Sequence, residues 1–545
     1  MKWGYGFVIR LGVDVGGTNT DAVLMDGKRV IATQKCSTTS DVSSGIVSAI
    51  RAVLEIAKMK TDNIACVMIG TTQFTNALVE RRHLQKVGVI RLSAPAGKAI
   101  PAMMDWPKDL QECIGDAVYC VPGGYEFDGR EISSLDEEAV SKAAIEIAKL
   151  GIQNFAVTGV FSPLNQEMEI QAQQLIEAQV PGARVTLSSD VGRVGFLERE
   201  NAAILNATLS GLAIKVVNSF QDALDNLKIN APLFISQNDG TLISADEAVR
   251  YPVMTIGSGP TNSMRGAAYL TGVSDAIVID VGGTTSDIGV LINGFPRESS
   301  LHVDIGGVRT NFRMPDALAI GLGGGTKITI DSVSSNGLSP SFPSIGVGPE
   351  SVGYNLEAKA LVFGGDTLTS SDVAVASGRI NMGNAANVSS LGEAEIKAVL
   401  DRFRVIYEEG IDRMKTSIDD AIVIVVGGGS FLVPDTMKGI SKVVRPEHSS
   451  VANAVGAAIA QVGVLIDRVV LYEKTSRSEA IEESKRQAIE QIEVLGGDLE
   501  TLQFVDIEEV SLSYLPGRST KLRVKAVASL KMKQETFRSV RNVAY

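Results

Sequence analysis

The sequence is poor in the residues that hold metals and disulfides. Its 545 residues include four cysteines, Cys36, Cys66, Cys113 and Cys120, and three histidines, His83, His302 and His448, scattered and without a CxxC pair. That spacing excludes a disulfide framework and a zinc ribbon, and assigns the cysteines to packing in the reduced state. A basic surplus is missing too. The 51 lysines and arginines are outnumbered by 63 aspartates and glutamates, for a net charge of −12 with no polybasic run. This argues against nucleic acid as the main partner and fits a soluble enzyme. No apolar run reaches the length of a membrane span, and the start, MKWGYGFVIRLGVDVGG, carries no cleavage-site pattern. The expectation is a cytoplasmic protein without a membrane partner. The chain is too long for one ordinary domain.

Glycine, in contrast, is abundant and patterned. Val8–Gly27 reads VIRLGVDVGGTNTDAVLMDG and Ala276–Gly294 reads AIVIDVGGTTSDIGVLING. Asp14-Val-Gly-Gly-Thr18 therefore recurs as Asp280-Val-Gly-Gly-Thr284, and each copy is followed at the same spacing by a second aspartate, Asp21 or Asp287. Each copy predicts a strand, a glycine loop and a second strand, ending in a turn, Asp26-Gly27 or Asn293-Gly294, that tolerates positive φ. Paired glycines let backbone N–H groups approach an anion, and the threonine adds a hydroxyl donor. Phosphoryl chemistry also needs a carboxylate to hold Mg²⁺ or orient an attacking group, and Asp14 and Asp280 stand directly before the loops. A single copy is equally consistent with a plain glycine turn. Two copies with matched flanks point to a pair of phosphate-gripping hairpins.

Between and beyond the hairpins, strand and helix patterns alternate, which predicts a parallel α/β architecture. Asp41–Lys58 and Gln73–Arg82 read as helices, Ile64–Ile69 and Lys86–Leu92 as strands. Residues 95 to 134, with Pro95, Pro101, Pro107, Pro122 and Gly123-Gly124, read as a loop-rich excursion. A long helix is expected from Phe196 to about Leu227, then a hairpin turned at Asp239-Gly240. Three further glycine clusters follow: Gly321–Thr326, Gly364-Gly365-Asp366 and Val425–Ser430. The last ends an all-apolar strand, the place where an α/β fold brings backbone against a nucleotide. Ala452–Ala460 is a small-residue helix suited to close packing. The expected division is a first lobe over 1–195, a second over 196–470, and a small α/β element over 471–545, with a turn at Pro516-Gly517.

The order of these features resembles the ATPase fold shared by actin, hexokinase-type sugar kinases and Hsp70 chaperones. More narrowly, DVGGTNTDAVL, IGTTQFTNALVERR, GSGPTNSMRGAAYL, DVGGTTSDIGVL, GLGGGT and GGDTLTSSDVAVASGR together resemble the ATP-dependent hydantoinase A and 5-oxoprolinase family. The resemblance implies a two-lobed fold that binds ATP and Mg²⁺. It makes Asp14 and Asp280 the catalytic and magnesium-holding carboxylates, and Gly16, Gly17, Thr18, Asn19 and Thr20 with Gly282, Gly283, Thr284 and Thr285 the phosphate clamps. Gly427, Gly428 and Gly429 become the adenosine contact. It also implies a small cyclic amide as substrate and help from a second subunit, with self-association left open. Three departures stand out. Asn19 replaces an aromatic, Leu318 replaces a histidine near the GLGGGT loop, and the chain is shorter than many family members, which leads us to expect that a separate partner completes the site.

The implied chemistry is phosphorylation of an amide oxygen so that water can open the ring, work that rests on positioning and electrostatics. Weaker substrate candidates are Thr71, Thr72 and Asn76, for which helix capping is an equal alternative, and Gly323, Gly324 and Gly325, which either touch substrate or only turn the chain. Asp366 and Asp372 are read chiefly as turn and cap residues, His83 as surface, and His302, near Asp304, as a lesser ligand candidate. Two rival functions stay open: an accessory ATPase that reshapes a protein partner, and a small-molecule kinase.

Overall fold

The apolar alternation flanking each DVGGT motif folds into a hairpin. The computed structural model describes residues 9–17, 19–38, 42–299, 302–331, 344–511 and 519–531. In it Ile9–Val15 pairs antiparallel with Asn19–Asp26, and Ala276–Val281 pairs antiparallel with Ser286–Ile292. The register sets Asp14 opposite Asp21 and Asp280 opposite Asp287. Asn293 and Gly294 both take positive φ, 54° and 76°, as a two-residue hairpin turn demands.

The α/β chain separates into two compact units, each assembled from three stretches. The first comprises Met1–Asn63, Gly259–Glu298 and Pro315–Ile459; the second comprises Ile64–Ser258, Ser299–Met314 and Ala460–Tyr545. Compactness thus cuts across the linear division expected at 195 and 470, and both hairpins lie in the first unit.

Within the first unit, Arg29–Ser37 extends the first hairpin into an antiparallel meander. The second hairpin joins a mixed sheet in which Ala276–Val281 runs parallel to Ala421–Val426, which runs parallel to Ile440–Val444. Helix Glu393–Met414 covers that sheet because Val399, Phe403, Tyr407 and Ile411 recur every fourth residue and bury one stripe against Ile277, Ile279 and Ile288. Helix Ala452–Ala458 packs closer than side chains normally allow. A Cβ on Gly12 would lie 2.3 Å from the Ala454 carbonyl oxygen, one on Gly266 1.9 Å from that of Ala452, and one on Gly456 1.8 Å from that of Asn262.

The second unit has a four-stranded parallel sheet in the order Val118–Pro122, Val87–Ala94, Asn154–Gly159, Arg184–Leu187. Residues 95 to 134, read as an excursion, instead supply helix Lys108–Ile114 and the edge strand Val118–Pro122. The prolines that suggested a loop-rich excursion include two at element ends, Pro107 just before the helix and Pro122 closing the strand, where a missing N–H costs little. In a second sheet Gln461–Leu471 pairs with Ser519–Ala528, which pairs with Gln503–Ser511, and helix Arg477–Val494 packs on it. The turn expected at Pro516-Gly517 lies outside the described residues. Helix Phe196–Asn226 is long and apolar enough to cross a membrane by composition, contrary to the sequence reading. However, 67% of its most apolar window is buried within the protein, which identifies it as a core helix.

That helix carries Glu200, whose carboxylate accepts from the Arg91 guanidinium at 2.7 Å with both side chains at most 2% exposed. Replacing Arg91 by leucine strands a buried carboxylate. Arg91→Leu is therefore expected to lower the unfolding free energy by about 3–5 kcal/mol in urea titrations, and Arg91→Leu with Glu200→Leu to recover most of that loss.

Candidate functional site

The two glycine loops close in the same way. Gly16 N–H donates to the Asn19 carbonyl at 3.0 Å, and Gly282 N–H to the Thr285 carbonyl at 2.9 Å. In the second loop Gly282, Gly283, Thr284 and Thr285 are all exposed; in the first, Gly17 is exposed and Gly16 and Asn19 half-buried. Thr18, a predicted clamp residue, lies outside the described residues. Thr20 is buried, with its hydroxyl 3.2 Å from that of Thr38, and Thr38 also donates to the Gly16 carbonyl.

Behind the first loop, Asp14 is only 4% exposed. The Asn453 amide nitrogen donates at 2.9 Å to one oxygen of Asp14 and at 2.9 Å to one of Asp21, while Lys35 Nζ lies 2.7 Å from Asp21. The other Asp14 oxygen, Oδ1, is buried without a hydrogen-bond partner. Burial pushes the Asp14 carboxyl up to about 7; Asp21 and Asp280 add to this, and Asn453 and Lys35 oppose it. Burial likewise raises Asp280, with Asp21 adding and the Ser263 hydroxyl and Lys35 opposing. Asp287 is pushed up to about 7 by burial and by Asp280. The two hairpins are thus close enough for their carboxylates to repel. Lys35, Asn453 and Ser263 escaped the sequence reading because nothing in their local pattern marks them.

The triple glycine abuts the second hairpin. Gly429 N–H donates to the Val281 carbonyl at 2.8 Å, and a Cβ on Gly427, whose φ is +87°, would lie 2.3 Å from the Asp280 carboxylate. Gly428 is exposed and faces open space. A groove of about 520 Å³ in the same unit is bounded by Arg379, Lys397, Arg404 and Asp435 among others. Arg379 closes the GGDTLTSSDVAVASGR stretch, from which the sequence reading drew no binding surface.

Gly323, Gly324 and Gly325 are buried and brace the second loop from behind. Gly324 and Gly325 donate to the Gly282 and Gly283 carbonyls at 3.0 and 2.6 Å, and the Ser370 and Ser371 hydroxyls donate to Gly324 at 2.8 Å. Thr71, Thr72 and Asn76 belong to the second unit. Thr71 is buried and its hydroxyl accepts from Gln73 N–H at 3.2 Å, while Asn76 N–H donates to the Thr72 carbonyl. Asp372 is a buried capping-box residue and Asp366 is exposed beside Thr367. His83 and His302 are both exposed. Leu318 packs on the apolar cluster around Ile288, so the polar group expected at this position is replaced by core. Among the described residues no group of three or more His, Cys, Asp or Glu side chains forms a metal cage.

Comparison with known proteins places these features in a wider setting. The model of the hydantoinase/oxoprolinase N-terminal region matches residues 10–180, and the hydantoinase/oxoprolinase model matches residues 199–395. The caprolactamase alpha subunit of Pseudomonas jessenii is 27% identical over 64% of this chain and 51% of its own length. The acetophenone carboxylase gamma subunit of Aromatoleum aromaticum is 26% identical over 68% of this chain and 53% of its own length. The chain thus spans about half the length of these curated relatives. The crystal structure of the ATP-dependent caprolactamase from Pseudomonas jessenii superposes with a TM-score of 0.74 at 19% identity, covering 96% of this chain and 88% of that one. The likeness is one of overall α/β fold.

Two outcomes follow for the isolated protein. In the ligand-free folded chain Asp14 and Asp287 keep a proton up to about pH 7, whereas the unfolded chain loses it near pH 4. Their contribution to stability is therefore full below about pH 4 and falls as pH rises to 7. Asp14→Asn has no charge to bury. It is expected to raise stability at pH 8 by roughly 2–4 kcal/mol and to change little at pH 4, which thermal melts at the two pH values would show. Gly427→Ala must move either the backbone or Asp280, and is expected to lower the melting temperature where Gly428→Ala does not.

Proposed function

The chain belongs to the hydantoinase/oxoprolinase family, and from that premise we propose that it uses ATP to activate the carbonyl oxygen of a cyclic amide, such as a hydantoin, 5-oxoproline or a related lactam, for ring opening by water. The observation that carries this reading is the pair of matched hairpins in one compact unit, with four aspartates at their crossings and exposed glycine loops at their ends. The likeness to a caprolactamase supports a lactam in particular.

The residues present suit a nucleotide with a divalent cation. Asp14 Oδ1 is buried and lacks a partner, and the raised carboxyls of Asp14 and Asp280 mark a volume short of positive charge. Mg²⁺ is commonly held by one or two carboxylates together with phosphate oxygens, so the absence of a larger cage is no obstacle. Asp14 and Asp280 would hold the cation, Gly16–Thr20 and Gly282–Thr285 would clamp the phosphates, and Gly427–Gly429 would receive the adenosine. Bound there, ATP would supply a phosphoryl group to the amide oxygen, which makes the carbonyl carbon open to addition of water and lets the ring nitrogen depart as an amine with its C–N bond broken. The protein's own part is to hold and to exclude. Asn453 fixes Asp14 and Asp21 together, Gly427 leaves room for Asp280, and the buried GLGGGT loop keeps the second clamp in place. Both relatives are named as subunits, which supports a second polypeptide in the working enzyme. A second reading, activation of a ketone for carboxylation, is favoured by the likeness to acetophenone carboxylase.

ADP release by the purified protein with Mg-ATP, with and without co-purifying polypeptides, separates these readings. The scan covers 5-oxoproline, hydantoins, simple lactams, acetophenone with bicarbonate, and sugars. Stimulation by one cyclic amide is expected. Asp14→Asn and Asp280→Asn should each lower turnover by about 10²-fold or more while nucleotide affinity moves far less. Near-normal turnover in both variants would remove the aspartates from the mechanism, and stimulation by a sugar alone would replace ring opening with a kinase activity.

A further inference from the structure

The second unit contains a cavity of about 380 Å³ whose lining residues all belong to that unit. Its floor is the face of the strand pair Gln461–Leu471 and Ser519–Ala528. The register matches Leu465 with Lys525, Asp467 with Arg523 and Val469 with Lys521, so three cations at alternate positions share one face. Its wall is the turn that carries Asp239, together with the segment that carries Arg313.

The charges do not balance. Asp239 is shared by Lys525 at 3.1 Å and Arg313 at 3.6 Å, and Asp467 by Lys521 at 3.3 Å and Arg523 at 3.2 Å. Glu508 takes a second share of Arg523 at 2.8 Å. Asp190, also at the cavity, is engaged by the Tyr251 hydroxyl at 2.8 Å and Arg250 at 3.7 Å. Arg468 and Arg193 line the cavity as well. Arg193 apart, six cations, Arg250, Arg313, Arg468, Lys521, Arg523 and Lys525, therefore meet the four carboxylates of Asp190, Asp239, Asp467 and Glu508 in a partly buried space: the Lys525 side chain is 9% exposed, Lys521 14% and Arg313 24%.

The electrostatics register this excess from both sides. Burial would raise Asp239, yet Lys525 and Arg313 hold it well below the usual carboxylate range. Burial lowers the Lys521 ammonium, and Arg523 and Arg193 lower it further, against the pull of Asp467. In a chain whose net charge is −12, a local cation surplus beside apolar surface from Leu465, Met254 and Phe312 runs against the overall composition. Guanidinium and ammonium groups around a small, half-apolar cavity fit a carboxylate on a compact carbon body.

We propose that this cavity binds a small organic carboxylate, held by Arg313 and Lys521, with its carbon body against Leu465 and Phe312. The site is independent of the nucleotide reading, since every residue it needs lies in the second unit. The ligand is either the acidic group of the substrate or a separate effector, and the two sources share this chemistry.

The test is isothermal titration of the full chain, without nucleotide, with the sodium salts of glutarate, succinate and 5-oxoproline. Caprolactam serves as a neutral counterpart and sulfate as an inorganic anion. Saturable binding of at least one carboxylate, with none for caprolactam and at least tenfold weaker binding of sulfate, is the expected result. Binding of 5-oxoproline alone would identify the substrate's acidic group, and binding of glutarate or succinate as well would identify an effector-type site; both uphold the proposal. Arg313→Gln and Lys521→Gln are each expected to weaken binding about tenfold or more. Leu465→Phe, which keeps every charge and fills the cavity, should abolish it, and it guards against a charge variant that fails to fold. No carboxylate binding at millimolar concentration, equal binding of sulfate, or unchanged affinity in folded Leu465→Phe would overturn the proposal.

Discussion

Four aspartates occupy the crossing points of two hairpins within one compact unit, and much of that unit is arranged to make their proximity tolerable. Asp14 faces Asp21 across one ladder and Asp280 faces Asp287 across the other. Burial removes the water that would screen them; Asp21 then raises Asp14 and Asp280, and Asp280 raises Asp14 and Asp287. The compensation on hand is modest: the ammonium of Lys35, the amide of Asn453 and the hydroxyl of Ser263. In the ligand-free protein the remaining imbalance is met by protons held up to about pH 7. On the proposed reading a cation would meet it instead, and proton release would then be linked to the binding of a metal-bearing ligand.

The compensating groups arrive where they do because two backbones come unusually close. Gly12 and Asp14 lie two residues apart on one strand and so share a face. The missing Cβ at Gly12 lets the Ala454 carbonyl approach, and Asn453 is the next residue on that helix. Its amide consequently reaches Asp14 and Asp21 together. On its other side the same helix is admitted by Gly266 and Gly456. The second hairpin uses the same device, for Gly427 leaves the space that the Asp280 carboxylate fills. Small residues, which carry no chemistry of their own, thereby set the position of the acidic groups.

The parts of this arrangement that were legible in the sequence are the parts encoded locally. Strand, glycine pair, threonine and a second aspartate recur within about twenty residues, so both hairpins, their turns and the apolar strand before the triple glycine could be read directly. Asn453 could not, since its partners lie 439 and 432 positions away; Lys35 and Ser263 stand nearer to Asp21 and Asp280 but on other elements, with no spacing that ties them to the aspartates. The same holds for the compact units. A chain that returns to each unit three times has no linear boundary to detect. Residues 95 to 134 were misread for another reason: prolines counted as breakers stand at the edges of regular elements, where they punctuate structure without abolishing it.

Glycine clusters that look alike in sequence play unlike parts, and burial is what separates them. Gly282 and Gly283 are exposed at the loop surface, where the Gly282 N–H closes the loop onto the Thr285 carbonyl, whereas Gly323, Gly324 and Gly325 are buried, Gly324 and Gly325 donating to the carbonyls of that loop and Gly323 to the Thr326 hydroxyl. A Cβ on Gly323 would lie 2.6 Å from the Thr284 backbone, so this glycine serves close approach to another main chain. Ser370 and Ser371 then hold the Gly324 carbonyl from the far side. The second loop is consequently fixed by backbone in two layers, while the first loop is tied at Gly16 by one side chain, that of Thr38. If the two loops close on the same anion, the second is the rigid jaw, and any adjustment to the ligand falls to the first.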